Sequence, residues 1–167
     1  MNWDIKRWLR HEFTGKRAVV RVLPAESLQR LTQNIAASEK QHGGELRLVV
    51  EHALHLNWLW NGVTAHDRAV KVFSDLHVWD TEANNGVLIY LLLADRHVEI
   101  VADRGIHRIV GAAEWSRICR LMEESFLQGN FEEGLSRGIS EITRHLEKHF
   151  PHRNDDVNEL PDAPVLM

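Results

Sequence analysis

The amino-acid sequence predicts an α/β fold: a small mixed sheet, made of a βαβ unit plus an antiparallel hairpin strand, sandwiched by helices. Three observations carry that expectation. Val87 to Ala94 is an unbroken apolar run, the pattern of a strand buried on both faces. His97 to Ala102 alternates, with Val98, Ile100 and Ala102 on one face and His97, Glu99 and Val101 on the other. Helix-spaced apolar stripes precede and follow this pair.

Residues 2–13 read as a short helix with Trp3, Trp8, Leu9 and Phe13 toward one side and Lys6, Arg7 and Arg10 opposite. Amphipathic helices normally cover a core, so this one is expected to fold back onto its own domain. Pro24 suits the first turn of a second helix, where Leu28, Leu31 and Ile35 recur at helical spacing until Gly43-Gly44 end it. Leu46 to Val50 is β-prone and starts the sheet, with His52 to Leu56 as an extension. Thr64 and Asp67 resemble a capping box, and Ala69, Val70, Phe73 and Leu76 give the following helix its apolar stripe. Strand, helix and buried strand form a βαβ unit, so the first two strands are expected to be parallel.

Asp95-Arg96 then serves as a two-residue hairpin connection, which sets Ala94 opposite His97 and Asp103 opposite Leu88. After Gly105 the pattern is helical again. Trp115, Ile118, Cys119, Met122 and Phe126 share one face, Gly129 interrupts, and Phe131, Leu135, Ile139, Ile142 and Leu146 form a second stripe. From Pro151 the chain has few packing residues before Val165-Leu166-Met167. The implied division is an N-terminal helical segment packing on the core over 1–43, an α/β domain over 44–150 and a loosely ordered tail over 151–167.

A chain of 167 residues with 44% hydrophobic and 26% charged content suffices for one domain with a full core. Its net charge of −4 argues against general nucleic-acid binding. A single cysteine, Cys119, excludes an internal disulfide and suits a cytoplasmic protein. Charges run through the N-terminal segment, leaving no signal-peptide core, and the longest apolar run is far too short to span a membrane. Charge is uneven: residues 1–21 hold Lys6, Arg7, Arg10, Lys16, Arg17 and Arg21 against Asp4 and Glu12, a net of +4, while residues 151–167 carry a net of −3.

The hairpin brings two polar loops side by side. Asp80, Glu82, Asn84 and Asn85 precede the buried strand, and Asp103 and Arg104 follow the return. Hard cations such as calcium take about six to eight oxygens from carboxylates, amides and carbonyls. Asp80-Thr81-Glu82-Ala83-Asn84 imitates the opening of an EF-hand loop, but Asn85 stands where that loop needs glycine, and its last ligand position falls at Leu91 within a strand. Turn formation is the commonest job of Asn and Asp at such a place.

Asn85-Gly86-Val87-Leu88-Ile89, the Asp95-Arg96 turn with Val98-Glu99-Ile100, and Gly105 resemble the TPM domain family, named from a thylakoid-lumen phosphatase, a photosystem repair factor and a receptor modulator. The likeness extends in weaker form from about Glu45 to about Leu146, and a soluble subgroup also carries Trp79-Asp80-Thr81-Glu82 and an Asn158-Glu159-Leu160-Pro161-Asp162 tail. Relatives often have a secretion signal or a C-terminal anchor, and neither is expected here. The resemblance implies the same α/β sandwich and a metal or phosphate-ester site near the two loops. Relatives often place an acidic residue just after the hairpin's return, where Glu114 is the nearest in this chain.

The expected metal set is therefore Asp80, Glu82, Asn84, Asn85, Asp103 and Glu114, holding calcium or another divalent cation. A metal there would polarise a phosphoryl oxygen and bind water, with Asp80 or Asp103 as base and Arg104 holding the phosphate. The chain has no Gly-rich phosphate loop, no cysteine–arginine phosphatase spacing and no Asp-x-Asp nucleophile, so the expected enzyme is a weak metal-dependent phosphatase. The alternative is a non-catalytic module that contacts an unknown protein partner, or a membrane surface peripherally through the N-terminal amphipathic helix.

Other chemistry-bearing residues read as structural. His145 and His149 have a zinc-like spacing beside Glu141, without a second ligand group, and suit a solvated helix end. Cys119 lies in an apolar stripe, as a buried thiol does. Trp79 and Trp115 are expected in the core, and Trp58 and Trp60 in a loop after the first strand.

Overall fold

A computed structural model describes residues 5–153 and 158–167. Its centre is a sheet whose first two strands, β1 (Leu46–Glu51) and β2 (Val87–Leu92), run parallel with Leu46 opposite Val87. β3 (His97–Ala102) returns antiparallel to β2, and β4 (Val165–Leu166) lies parallel to β1, giving the order β3-β2-β1-β4. The mixed α/β sheet flanked by helices is the architecture that the sequence predicts.

Alternation along the strands divides the core in two. Leu46, Leu48, Val50, Val87, Ile89, Leu91, Val98 and Ile100 face α3 (Ala25–Glu39), α6 (Arg104–Val110), α7 (Ala112–Leu127) and α8 (Phe131–His149). Val49, Leu88, Tyr90 and Leu92 face the other way, onto α5 (Ala65–Asp75). A strand covered on both sides has no solvent face, which is why β2 carries no charged residue and only the hydroxyl of Tyr90 as a polar group. The second layer also buries a charged group. Arg68 clasps Glu51 through Nε at 2.8 Å and a second nitrogen at 3.1 Å, and Tyr90 donates its hydroxyl to the same carboxylate at 2.6 Å. With three donors on Glu51, that burial is compensated.

Several local expectations are corrected. The hairpin is closed by residues 93–96, not by Asp95-Arg96 alone: Leu93–Asp95 form a short 3-10 turn and Arg96 takes a left-handed φ of 51°. A two-residue type I′ turn needs positive φ at both central residues, and only Arg96 takes one here. Leu92, not Ala94, therefore faces His97, a slip of two residues that keeps every side chain on its expected face. β1 stops at Glu51, and the proposed extension turns instead into α4 (Leu56–Trp60), capped by His55, so Trp58 and Trp60 lie on a helix. The single helix expected after Gly105 is broken at Gly111, whose φ is +85°.

Val70 and Trp79, expected in the core, are 44% and 48% exposed, because Ala65, Ala69 and Val72 supply the buried stripe of α5 and the loop carries Trp79 outward. Residues 158–167, in the stretch read as loosely held, end in β4, where the Met167 N–H donates to Val50 O at 2.9 Å. The N-terminal region forms two helices, α1 (Ile5–Phe13) and α2 (Lys16–Val22), while Trp3 lies outside the described residues.

The backbone approaches itself most closely at Gly86, where an added Cβ would stand 1.9 Å from Val78 O. That neighbour is backbone and has little room to withdraw. Gly86→Ala is expected to destabilise the protein by about 3 kcal/mol or more, a fall of ~10 °C in melting temperature by calorimetry.

Candidate functional site

The loop between α5 and β2 is a run of turns satisfied from within. The Asp80 N–H donates to His77 O at 2.9 Å, Asn84 N–H to Thr81 O at 3.2 Å, and Asn85 N–H to the buried Thr81 Oγ1 at 3.2 Å. Asn84 sits at φ 52°, a left-handed conformation that Asn tolerates better than most residues. The loop then packs against the start of α6. Ile106 N–H donates to Asn84 O at 3.3 Å, and a Cβ at Gly105 would stand 2.3 Å from that carbonyl. The Asp103 N–H donates to Gly86 O at 2.9 Å, one step beyond the last ladder pair of β2 and β3.

These contacts leave a cleft of about 460 Å³ lined by Phe73, Trp79, Asp80, Thr81, Asn84, Ala102, Asp103 and Arg104. Asp80, Asn84 and Arg104 reach it from exposed positions, whereas Asp103 is only 6% exposed. Asp103 caps α6, its Oδ1 accepting from Arg104 N–H at 2.6 Å. Its Oδ2 is buried and has no hydrogen-bond partner among the described residues. A carboxylate oxygen taken from water without a replacement donor costs several kcal/mol unless something else supplies that donor.

The rest of the expected ligand set lies elsewhere. Asn85 is buried, with Nδ2 donating to Gly43 O at 2.7 Å, and points away from the cleft. Glu114 is on α7, held by Arg117 at 2.8 Å and by His145 at 3.0 Å, and these partners keep its carboxyl low, at about 2. Ion pairing on its own helix explains why Glu114 does not serve the loop. His145 is thereby occupied, and Cys119 is a half-buried thiol that burial pushes up to about 12.

Glu82 lines a second cavity of about 570 Å³ between the end of α3, the start of β1 and the C-terminal segment. There Glu45 accepts from the Glu159 and Leu160 N–H groups, both at 3.0 Å, and Arg47 donates to Pro161 O. Glu39 accepts from Leu46 N–H at 3.1 Å and is hydrogen-bonded to Asp162, while Asn158 Nδ2 donates to both carboxyls. Burial, reinforced by the carboxylates of Asp162 and Glu45, pushes Glu39 up to about 9. Sequence reasoning noticed the Asn158–Asp162 motif but not its partners, because nothing local to Glu39, Glu45 or Arg47 announces a contact more than a hundred residues away.

A TPM domain model matches residues 19–145. The chain belongs to the TPM domain family. Among solved structures, this TPM domain is similar to the BA42 protein of the psychrophilic bacterium Bizionia argentinensis, at 33% identity and a TM-score of 0.77, over 87% of this chain and 95% of that one. It shares its fold with the N-terminal domain of a P. gingivalis protein, at 22% identity and a TM-score of 0.63, over 80% and 83% of the two chains. No curated protein matches.

A divalent cation is the group that the family resemblance implies for this cleft. Among the described residues no three or more His, Cys, Asp or Glu side chains are grouped to hold a metal ion, which also removes the zinc arrangement at His145 and His149. What remains at the cleft of this TPM domain is an all-oxygen set of Asp80, Asn84 and Asp103 with one orphaned oxygen. Oxygen ligands of this type suit hard cations rather than zinc.

The Glu39 carboxyl supplies a pH test. Its folded value near 9 exceeds the ordinary 4.5, so the folded state holds a proton that the unfolded chain releases, and stability falls as pH rises through the window from about 5 to about 9. Glu39→Gln keeps the acceptor for Leu46 and a donor for Asp162 without needing the proton. It is expected to melt higher than the parent at pH 8, with the difference closing toward pH 5 in thermal melts.

Proposed function

We propose that the cleft of Asp80, Asn84, Asp103 and Arg104 binds a divalent cation, calcium or a similar oxygen-seeking ion, and weakly hydrolyses small phosphate esters. The observation that carries this reading is the buried, unpartnered Oδ2 of Asp103 beside a cleft lined by a second carboxylate and a guanidinium. Asp80, Asn84 and Asp103 would hold the cation, which when bound supplies a Lewis acid for a phosphoryl oxygen and a more acidic water. Arg104, exposed at the rim, holds the phosphate by paired N–H donors. Asp80, exposed, accepts the proton from the attacking water. The cleft is wide and has no preformed phosphate loop, so turnover is slow and selectivity among esters is low. The reading assumes a reducing, cytoplasmic setting, consistent with a single unpaired cysteine. No helix among the described residues is long and apolar enough to cross a membrane.

A second reading, a non-catalytic contact module, is favoured by one observation. α1 docks with its polar side inward and leaves Ile5, Leu9 and Phe13 exposed.

The two readings separate in one set of assays. With a generic phosphate ester and calcium, magnesium or manganese, Asp103→Asn is expected to lower the rate by about 100-fold or more. Unchanged rates, or no activity in the parent, reject hydrolysis at this cleft. Calcium at about ten times Kd is expected to add ~1.4 kcal/mol, or about 4 °C in melting temperature, to the parent and nothing to Asp103→Asn. Without calcium the variant is expected to melt at or above the parent, since Asn still caps α6 and no unpaired charge stays buried.

A further inference from the structure

α1 is attached the wrong way round for a helix that covers a core. Arg7 and Arg10 reach Asp95 in the hairpin turn at 2.9 and 3.4 Å, and the buried His11 ring lies between the two elements. His11 Nδ1 accepts from Leu54 N–H at 2.9 Å, which leaves Nε2 to carry the proton, 3.1 Å from Asp95 Oδ1. Burial alone would raise the Asp95 carboxyl, but the nearby His11 ring and the Arg7 guanidinium prevail and hold it below its ordinary value. The helix is therefore fastened through its cations, and among the described residues its apolar side is covered only in part.

That side is large for nine residues: Ile5 is 67% exposed, Leu9 43%, Trp8 39% and Phe13 82%. At 100° per residue they span a single arc, with Lys6 and Arg10 along one edge and Glu12 as the only acid within it. On α2, Val20 is 62% exposed between Lys16, Arg17 and Arg21, all exposed. The chain as a whole is negative at −4, yet these first residues are positive. A globular domain gains nothing from an aromatic and aliphatic arc in water rimmed by cations, whereas such an arc matches the chemistry of an anionic bilayer surface.

We propose that the outer face of α1 and α2 docks on an anionic lipid surface, with Trp8, Leu9 and Phe13 entering the headgroup boundary and Lys6, Lys16, Arg17 and Arg21 meeting lipid phosphates. This rests on the second reading above and names its partner. Acidic protein surfaces meet the cations as well but offer no apolar layer for Phe13, which favours lipid.

The full chain is mixed with vesicles of equal phosphatidylcholine and phosphatidylglycerol, or of phosphatidylcholine alone, and sedimented; light scattering without vesicles reports self-association. Binding to the anionic vesicles only, weakening several-fold between about 0.05 and 0.5 M salt, is expected. Leu9→Ser and Phe13→Ser should each weaken it roughly tenfold at unchanged melting temperature. Lys16→Gln should weaken it about fivefold, and Glu12→Gln should strengthen it by a similar factor. Equal binding to both vesicles, or to neither, overturns the lipid proposal. Self-association that Phe13→Ser abolishes, without vesicle binding, overturns it while sparing the contact-module reading. If the variants change nothing in any arm, both fall.

Discussion

The candidate site exists because the backbone closes on itself at two glycines. Gly86 admits the Val78 carbonyl, and Gly105 admits the Asn84 carbonyl, at distances where any side chain would collide with main chain. The first contact sets where the polar loop ends and β2 begins. The second presses that loop onto the first turn of α6. Between them, Asp80 and Asn84 are carried to the edge of the sheet where Asp103 leaves β3, and the cleft follows. Sheet pairing alone would bring the segments near each other, but it would not fix the loop against the helix.

The amount legible in the sequence follows from which forces are local. Val87–Leu92 announces a buried strand because a strand covered on both faces must be apolar at every position, and the βαβ geometry then fixes its direction. The hairpin register was harder, since turn length depends on φ values that Asp95 and Arg96 do not declare. The error was an even number of residues, so faces survived and Asp103 still arrived beside the loop. The lining of the cleft was legible only in part. Glu82 and Asn85 are neighbours of Asp80 and Asn84 in sequence, but consecutive loop residues point in different directions: Glu82 lines the second cavity and Asn85 is buried against Gly43. Glu114 lies away from the cleft, paired with Arg117 and His145.

Charge placement explains what hydrophobic periodicity missed. In α1 the pattern of apolar and basic residues is plain, yet the side facing the domain is decided by Asp95 and by the Leu54 N–H, each of which needs a cationic or ring-nitrogen partner. Periodicity says that a helix has two sides without saying which is inward. The same holds at Glu51, where a carboxylate in an apolar layer is kept by Arg68 and Tyr90 from two different elements. Buried polar groups choose their partners across the fold, so they are the last features a linear reading recovers.

The polar loop is held from both flanks. On one flank the glycine contacts and the Asn84 carbonyl tie it to α6; on the other, Glu82 N–H donates to Glu159 at 3.3 Å, in the segment that Glu45 and Arg47 clamp to β1. A loop fixed this way has already lost the conformational entropy that a flexible one would lose on binding, and the left-handed Asn84 belongs to that fixed state. Two carboxylates and an amide lining a cleft gain from such preorganisation, since they then bear no cost of ordering their own support. Asp103 Oδ2 stays buried and without a hydrogen-bond partner among the described residues, a cost that the tightly packed surroundings sustain.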